Sequence, residues 1–397
     1  MNQNTEYRSR SSGGRACGEP VRRHAPVSSP LQSARPVRVA PGRHSRSRLT
    51  AGSPSTVADQ SLYGSLRLKL ALGLCCLLGA LGAQAATSTV VTVQEPWSNV
   101  FGGKESIFHA TVSAAEPFDG RIVWQFAADG RTLARGESAV KAAPATPGTV
   151  ELRLSVPPVK PGVIMRTTLS VSAIPAGADK ASAAMDRPVW VFPESPFTDR
   201  AEWLKKLNIR LFDPSGATAK IFTDAGVPFA ETRNVDALAA GEDGVLIVGE
   251  GVSFKEYRGL AESLIKAAAA GRPVLCLAPD SGEMLLPVSG DPAAPQPASL
   301  TFCRQDIITQ LDKRLDADGW KTGGKTTASG LKLRGERGPV VAEVGKEAEA
   351  WPWMEMKFGK GNGRLVVCGF GIMGAWAESP TPRFLLAKVL EYVSGTK

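Results

Sequence analysis

The spacing of apolar positions changes character along this chain. From about residue 87 to 192 it repeats every second residue. Candidate strands are Ser88–Glu95, Glu105–Ala114, Gly120–Ala128, Arg131–Val140, Thr149–Val156, Gly162–Ala173 and Arg187–Phe192. They are rich in Val, Ile, Thr and aromatic residues, and Gly, Pro or Asp separates them. Within them GRIVWQF and VELRLSV alternate apolar and polar residues, as a strand with one buried face does. Short strands at this density predict an all-β, immunoglobulin-like or fibronectin-like sandwich with Trp124 in its core.

The stretch PESPFTDR, Pro193 to Arg200, breaks both patterns with its prolines. From Ala201 short apolar runs alternate with helical spacing. LNIRLFDP predicts a strand ending at Asp213, residues 216–226 a helix closed by Gly226, and VPFAET a second strand. GVLIVGEG (Gly244 to Gly251) and PVLCLAP (Pro273 to Pro279) are continuous apolar strands, expected where both faces are covered. Between them, Ser253 and Glu256 form a capping box, followed by Tyr257, Ala261, Leu264 and Ala268 at helical spacing and Gly271 as the stop. Residues 280–330 are less regular, with a Pro-rich loop at Asp291–Pro297 and a short helix near Asp306–Leu315. Leu331–Arg334 and Val340–Val344 pair as a hairpin around Glu336–Gly338, and Trp353–Phe358 and Arg364–Phe370 are further strands. A last helix follows Thr381, with Pro382 first and Gly395 as its end. Strands alternating with helices predict a three-layer α/β domain with a mostly parallel sheet. The expected order is therefore a sandwich over 86–193, a linker over 194–200 and an α/β domain over 201–397.

Upstream, Ser65 to Ala85 has the layout of a cleavable export signal. Arg67 and Lys69 precede an apolar core, Leu70 to Gly82, and Ala83-Gln84-Ala85 predicts cleavage before Ala86. The core is shorter than the roughly 20 residues that span a bilayer. Leu74 before Cys75 argues against a lipid anchor. Residues 1–64 are Arg-, Ser- and Pro-rich and predict a disordered leader from a start set too far upstream; Val57, Leu62 and Leu66 are alternative starts, and a transit segment or a genuine basic arm are the competing readings. The expected location is secreted or periplasmic, by bacterial-type export, with no transmembrane anchor after cleavage.

Export changes the charge picture. Residues 1–85 hold 12 of the 47 basic and 3 of the 38 acidic residues, which leaves 35 of each in 86–397. A formally neutral remainder removes the main argument for a nucleic-acid partner. Cys276, Cys303 and Cys368 are unevenly spaced and form neither a disulfide framework nor a zinc pattern. Cys276 and Cys368 are expected as buried thiols; a bridge between them requires neighbouring strands.

Three segments carry a resemblance: GVLIVGEG before a capped helix, AAAAGRPVLCLAP after it, and the closing GKGNGRLVVCGFGIMGAWAESPTPRFLLAKVLEYVSG. Over roughly Arg200 to Ser394 the chain resembles the class I glutamine amidotransferase-like fold. Active members of that family use a Cys on a Gly-flanked elbow with His and Glu partners. Here Cys276 has no flanking glycines and no His follows His109, so the resemblance implies a catalytically silent relative.

No catalytic residues, metal or cofactor are expected. GEGVS lacks the third Gly of a dinucleotide loop. Ligands of open α/β sheets bind beyond the strand C-termini, which nominates Asp213, Gly249, Glu250, Ser253, Asp280 and Glu283, with Trp376 as a wall. The leading expectation is a non-catalytic binding protein for a carbohydrate or an envelope protein. One alternative is a glycoside-type hydrolase using Glu250 and Asp280 as acid and base; another is a structural or assembly protein.

Overall fold

A computed structural model describes residues 88–240, 243–287, 295–320, 326–335, 340–345, 351–359 and 363–395. They fall in one compact unit, Ala80–Lys397. The leader 1–64, the segment 65–85 with its cut before Ala86, the tip of the Glu336–Gly338 hairpin and the first part of the Asp291–Pro297 loop lie outside the described residues.

The first eight strands are β1 (Thr89–Val93), β2 (Asn99–Phe101), β3 (Glu105–Ala114), β4 (Phe118–Ala128), β5 (Arg131–Ala142), β6 (Gly148–Ser155), β7 (Met165–Pro175) and β8 (Ala183–Phe192). They form a three-stranded sheet, β1-β3-β6, and a five-stranded sheet, β2-β8-β7-β4-β5. Alternation explains the packing. Phe108, Leu152 and Leu154 of the first sheet meet Ile122, Phe126, Leu169, Val171 and Val189 of the second in one buried core. Trp124 is in that core, and its ring lies against Gly136: a Cβ there would sit 2.7 Å from Trp124 Cζ2. Short β2, unforeseen in the sequence, pairs parallel with β8.

The chain continues through α1 (Ala201–Lys206), β9 (Ile209–Phe212), α2 (Ala217–Asp224), β10 (Phe229–Glu231), β11 (Leu246–Val248), α3 (Leu260–Ala269), β12 (Pro273–Leu277), β13 (Gly282–Leu286), β14 (Ser299–Cys303), α4 (Ile307–Leu311), β15 (Gly330–Gly335), β16 (Val340–Gly345), β17 (Trp353–Lys357), β18 (Arg364–Cys368) and α5 (Pro380–Ser394). The main sheet has the order β10-β9-β11-β12-β18-β17-β14.

The expected three-layer α/β domain with a mostly parallel sheet is corrected by this arrangement. Of the described residues, 42% are strand and 17% helix. The main sheet is mixed, because β17 pairs antiparallel with β18 and with β14. One of its faces is covered by α3 together with a second mixed sheet, β13-β15-β16, rather than by a layer of helices. The cause is local. After β12 the segment GEMLL buries Met284 and Leu286 and exposes Glu283 and Leu285, a period of two that makes a strand where a helix was needed.

Covering both faces accounts for the continuous apolar runs. Leu246, Val248, Val274, Cys276 and Val367 pack on the α3 side; Ile247, Leu275, Leu277, Val366 and Cys368 pack against α5 and its neighbours. Cys276 and Cys368 therefore sit on adjacent strands but opposite faces, which rules out a bridge between them, and both are free thiols. Two helix starts also differ from expectation. Ser253 Oγ accepts from Glu256 N at 3.4 Å, but this closes a turn, and α3 begins only after Gly259 at φ +82°. The last helix begins at Pro380 with Ser379 as its cap, whose hydroxyl accepts from Thr381 N at 3.3 Å.

Candidate functional site

Strands β9, β10, β11, β12 and β18 run parallel, so their C-terminal ends share one rim. The sequence-nominated residues divide into separate groups along it.

Asp213 follows β9. Its Oδ2 accepts from Ala219 N at 2.8 Å and its Oδ1 from Ser215 Oγ at 2.9 Å. The carboxylate thereby caps the N-terminus of α2, where unpaired N–H groups and the helix dipole favour a negative charge. Gly249, at the end of β11, lets it come close: a Cβ on Gly249 would lie 2.8 Å from Asp213 Cγ. This contact explains the first Gly of GEGVS without a dinucleotide. Asp213 also lines a cleft of about 480 Å³ with Ser215, Glu231, Thr232, Arg233 and Tyr257. Glu231 and Arg233 form an exposed ion pair at 3.2 Å.

Glu250 is half-buried and faces the turn after β18. Its Oε2 accepts from Met373 N at 2.7 Å and its Oε1 from Gly374 N at 3.0 Å, while its own N–H donates to Thr218 Oγ1 at 2.9 Å. Burial pushes its pKa up, against the lowering effect of these backbone N–H groups. The side chain ties the 369–376 segment to the β11 end.

The other nominees are dispersed. Ser253 Oγ lies 3.1 Å from Ser281 Oγ in the turn before α3. Asp280 is exposed, with its N–H donating to Val252 O at 3.2 Å. Glu283 faces outward on β13, paired with Arg334 at 3.1 Å. Trp376 is partly buried beside α5, and its carbonyl accepts from Arg383 Nε at 2.6 Å. The structure brings Asp213 and Gly249 together; both Glu250 oxygens accept from the 373–374 backbone, and Asp280 stays exposed.

Sequence reasoning missed Glu231, Thr232, Arg233 and Tyr257. The strand-end rule reaches the first three, because Glu231 ends β10 and Thr232 and Arg233 follow it; Tyr257, expected on a buried helix face, lies in the turn before α3. The thiols are chemically quiet. Full burial pushes Cys276 up and Cys368 up to about 12, so neither supplies a thiolate near neutral pH. Among the described residues no group of three His, Cys, Asp or Glu is placed to hold a metal ion.

No family model and no curated protein matches the chain. Among solved structures, Spo0M, a sporulation control protein from Bacillus subtilis, is 12% identical over 30% of this chain and 54% of its own, with a TM-score of 0.21. The chain thus spans about half the length of that protein. The C-terminal domain of wzt is 12% identical over 26% of this chain and 70% of its own, with a TM-score of 0.20. A cycloisomaltooligosaccharide glucanotransferase from Paenibacillus sp. is 8% identical over 48% and 28%, with a TM-score of 0.22. Similarity at this level carries no argument about fold or activity, and it does not indicate a glutamine amidotransferase-like domain.

Proposed function

We propose that this chain is an exported, non-catalytic binding protein that takes a carbohydrate-like ligand in the cleft beside Asp213. The observation that carries this reading is the chemistry of the cleft wall: two carboxylates, two hydroxyl side chains, a guanidinium and a phenol ring line about 480 Å³. Such a set suits a neutral polyhydroxyl ligand, with few polar groups to orient it and a ring to pack against it. Asp213 has two donors of its own. A carboxylate has about four acceptor sites, so capacity remains for ligand hydroxyls.

Export rests on the layout of Ser65 to Ala85. No helix among the described residues is long and apolar enough to cross a membrane. Terminal sequencing of protein recovered from the envelope or medium is expected to begin at Ala86.

The test of binding is a thermal-shift screen of the full chain against oligosaccharides, with peptidoglycan fragments, nucleotides and amino acids as comparison sets. A ligand at one hundred times its Kd adds about 2.7 kcal/mol. A shift with oligosaccharides that is lost in Arg233→Ala supports the reading. No shift with any oligosaccharide overturns it and moves the search to a protein partner.

The raised pKa of half-buried Glu250 favours a second reading, a carboxylate-dependent hydrolase. Loss of a hydrolytic activity in Glu250→Gln, with stability unchanged, would establish it.

A further inference from the structure

A partly buried polar cluster joins the sandwich to the C-terminal region, away from the cleft. Its centre is Asp316, on the loop after α4. Both of its carboxylate oxygens lie 2.9 Å from Ser98 N, in the connection between β1 and β2. Arg187 of β8 grips the same connection. Its guanidinium donates to the Trp97 carbonyl at 2.5 Å, and its Nε and Nη2 each donate to Ser98 Oγ at 3.2 Å. From the other side, Thr381 Oγ1 in the first turn of α5 accepts from Asn99 Nδ2 at 2.7 Å and from Asp316 N at 3.3 Å. Trp320 Nε1 donates to the Asp316 carbonyl at 2.9 Å, which fixes the loop. Trp97, Asn99 and Trp320 also line an open groove of about 320 Å³, which brings solvent beside the cluster.

We propose that Asp316 is a proton-operated latch between the two regions: protonation firms the docking of the 97–99 segment, and ionisation loosens it. The ionised carboxylate is short of compensation. Among the described residues, the charged groups around it are Arg187 from β8, Glu95 from the β1–β2 connection and Asp318 from its own loop. Arg187 is spent on Trp97 and Ser98, and its field is shared between Asp316 and Glu95. Glu95 is buried and is itself engaged by His109, with Nδ1 to Oε1 at 2.7 Å. Asp318 repels. Burial, opposed by the Ser98 and Asn99 N–H groups and by Arg187, lifts the Asp316 pKa from 3.8 to about 7. A carboxyl that holds its proton more tightly when docked makes docking firmest in acid. Docking weakens as pH rises from about 4 to about 7 and then levels off.

The experiment is hydrogen exchange on the full chain across pH 4.5 to 8.5, corrected for intrinsic chemistry and read at the Ser98 and Asn99 amides. Protection is expected to fall by up to about tenfold per pH unit up to about pH 7, and to be flat above it. Asp316→Asn, a neutral isostere, is expected to flatten the profile. His109→Gln is expected to leave it intact, although histidine ordinarily titrates between pH 5 and 8. A flat wild-type profile, a slope that survives in Asp316→Asn, or a slope that vanishes in His109→Gln each overturns the latch. If Asp316→Asn does not fold, the wild-type and His109→Gln profiles decide the matter between them.

Discussion

Replacing Glu250 with Gln separates a positioning role from a catalytic one. In the native protein the carboxylate accepts from Met373 N at 2.7 Å and from Gly374 N at 3.0 Å. Gln keeps the shape and one acceptor oxygen, but turns an NH₂ group against the second N–H. One bond to an ionised acceptor is lost, a term of about 1.5–3 kcal/mol. The neutral amide also escapes the burial that raises the Glu250 pKa, which offsets part of that loss. The balance is a destabilisation of about 1–2 kcal/mol at pH 7. Urea unfolding of both proteins measures it, as a lower midpoint at constant slope. Native-state exchange provides a local check, because the Met373 and Gly374 amides should lose protection before the rest of the sheet. If the variant matches wild type within about 0.3 kcal/mol and those amides stay protected, Glu250 does not hold the 369–376 segment.

Three further outcomes follow from the packing. Gly249→Ala places a Cβ 2.8 Å from Asp213 Cγ, so it should destabilise by about 1–3 kcal/mol in denaturant melts and weaken any ligand-induced thermal shift. Gly136→Ala drives a methyl into the Trp124 ring, 2.7 Å from Cζ2; a loss of about 1–3 kcal/mol with an altered near-UV tryptophan signal is expected, and an unchanged melt would contradict the packing. Among the three described cysteines, thiol titration of the folded protein at pH 8 should react first at half-buried Cys303, while fully buried Cys276 and Cys368 should react only on unfolding, which mass mapping of the labelled peptides will resolve.

Much of the candidate rim was legible because strand ends can be read from apolar runs. VLIV and PVLCL stop where β11 and β12 stop, and the polar residues after them mark the rim. What those polar groups do was not legible. Asp213 caps α2 through Ala219, six residues on, and a local pattern can hint at that. Glu250 meets Met373 and Gly374 across 123 and 124 residues, a contact made by the β11-β12-β18 order of the sheet and by no spacing in the chain.

Period and punctuation by themselves determined seven of the eight sandwich strands, the two-sided burial of β11 and β12, and the stop of the last helix at Gly395, which takes φ +70°. These depend on a residue and its near neighbours. Tertiary structure alone decided that β17 and β14 close the main sheet antiparallel and that a second sheet shares a face with α3. It also decided that Cys276 and Cys368 point to opposite faces and that Asp316 meets Ser98 across 218 residues. The physical reason is the same in each case. Burial and hydrogen bonding are satisfied by whichever partner the fold delivers, and a strand's period says which face is apolar without saying what will cover it.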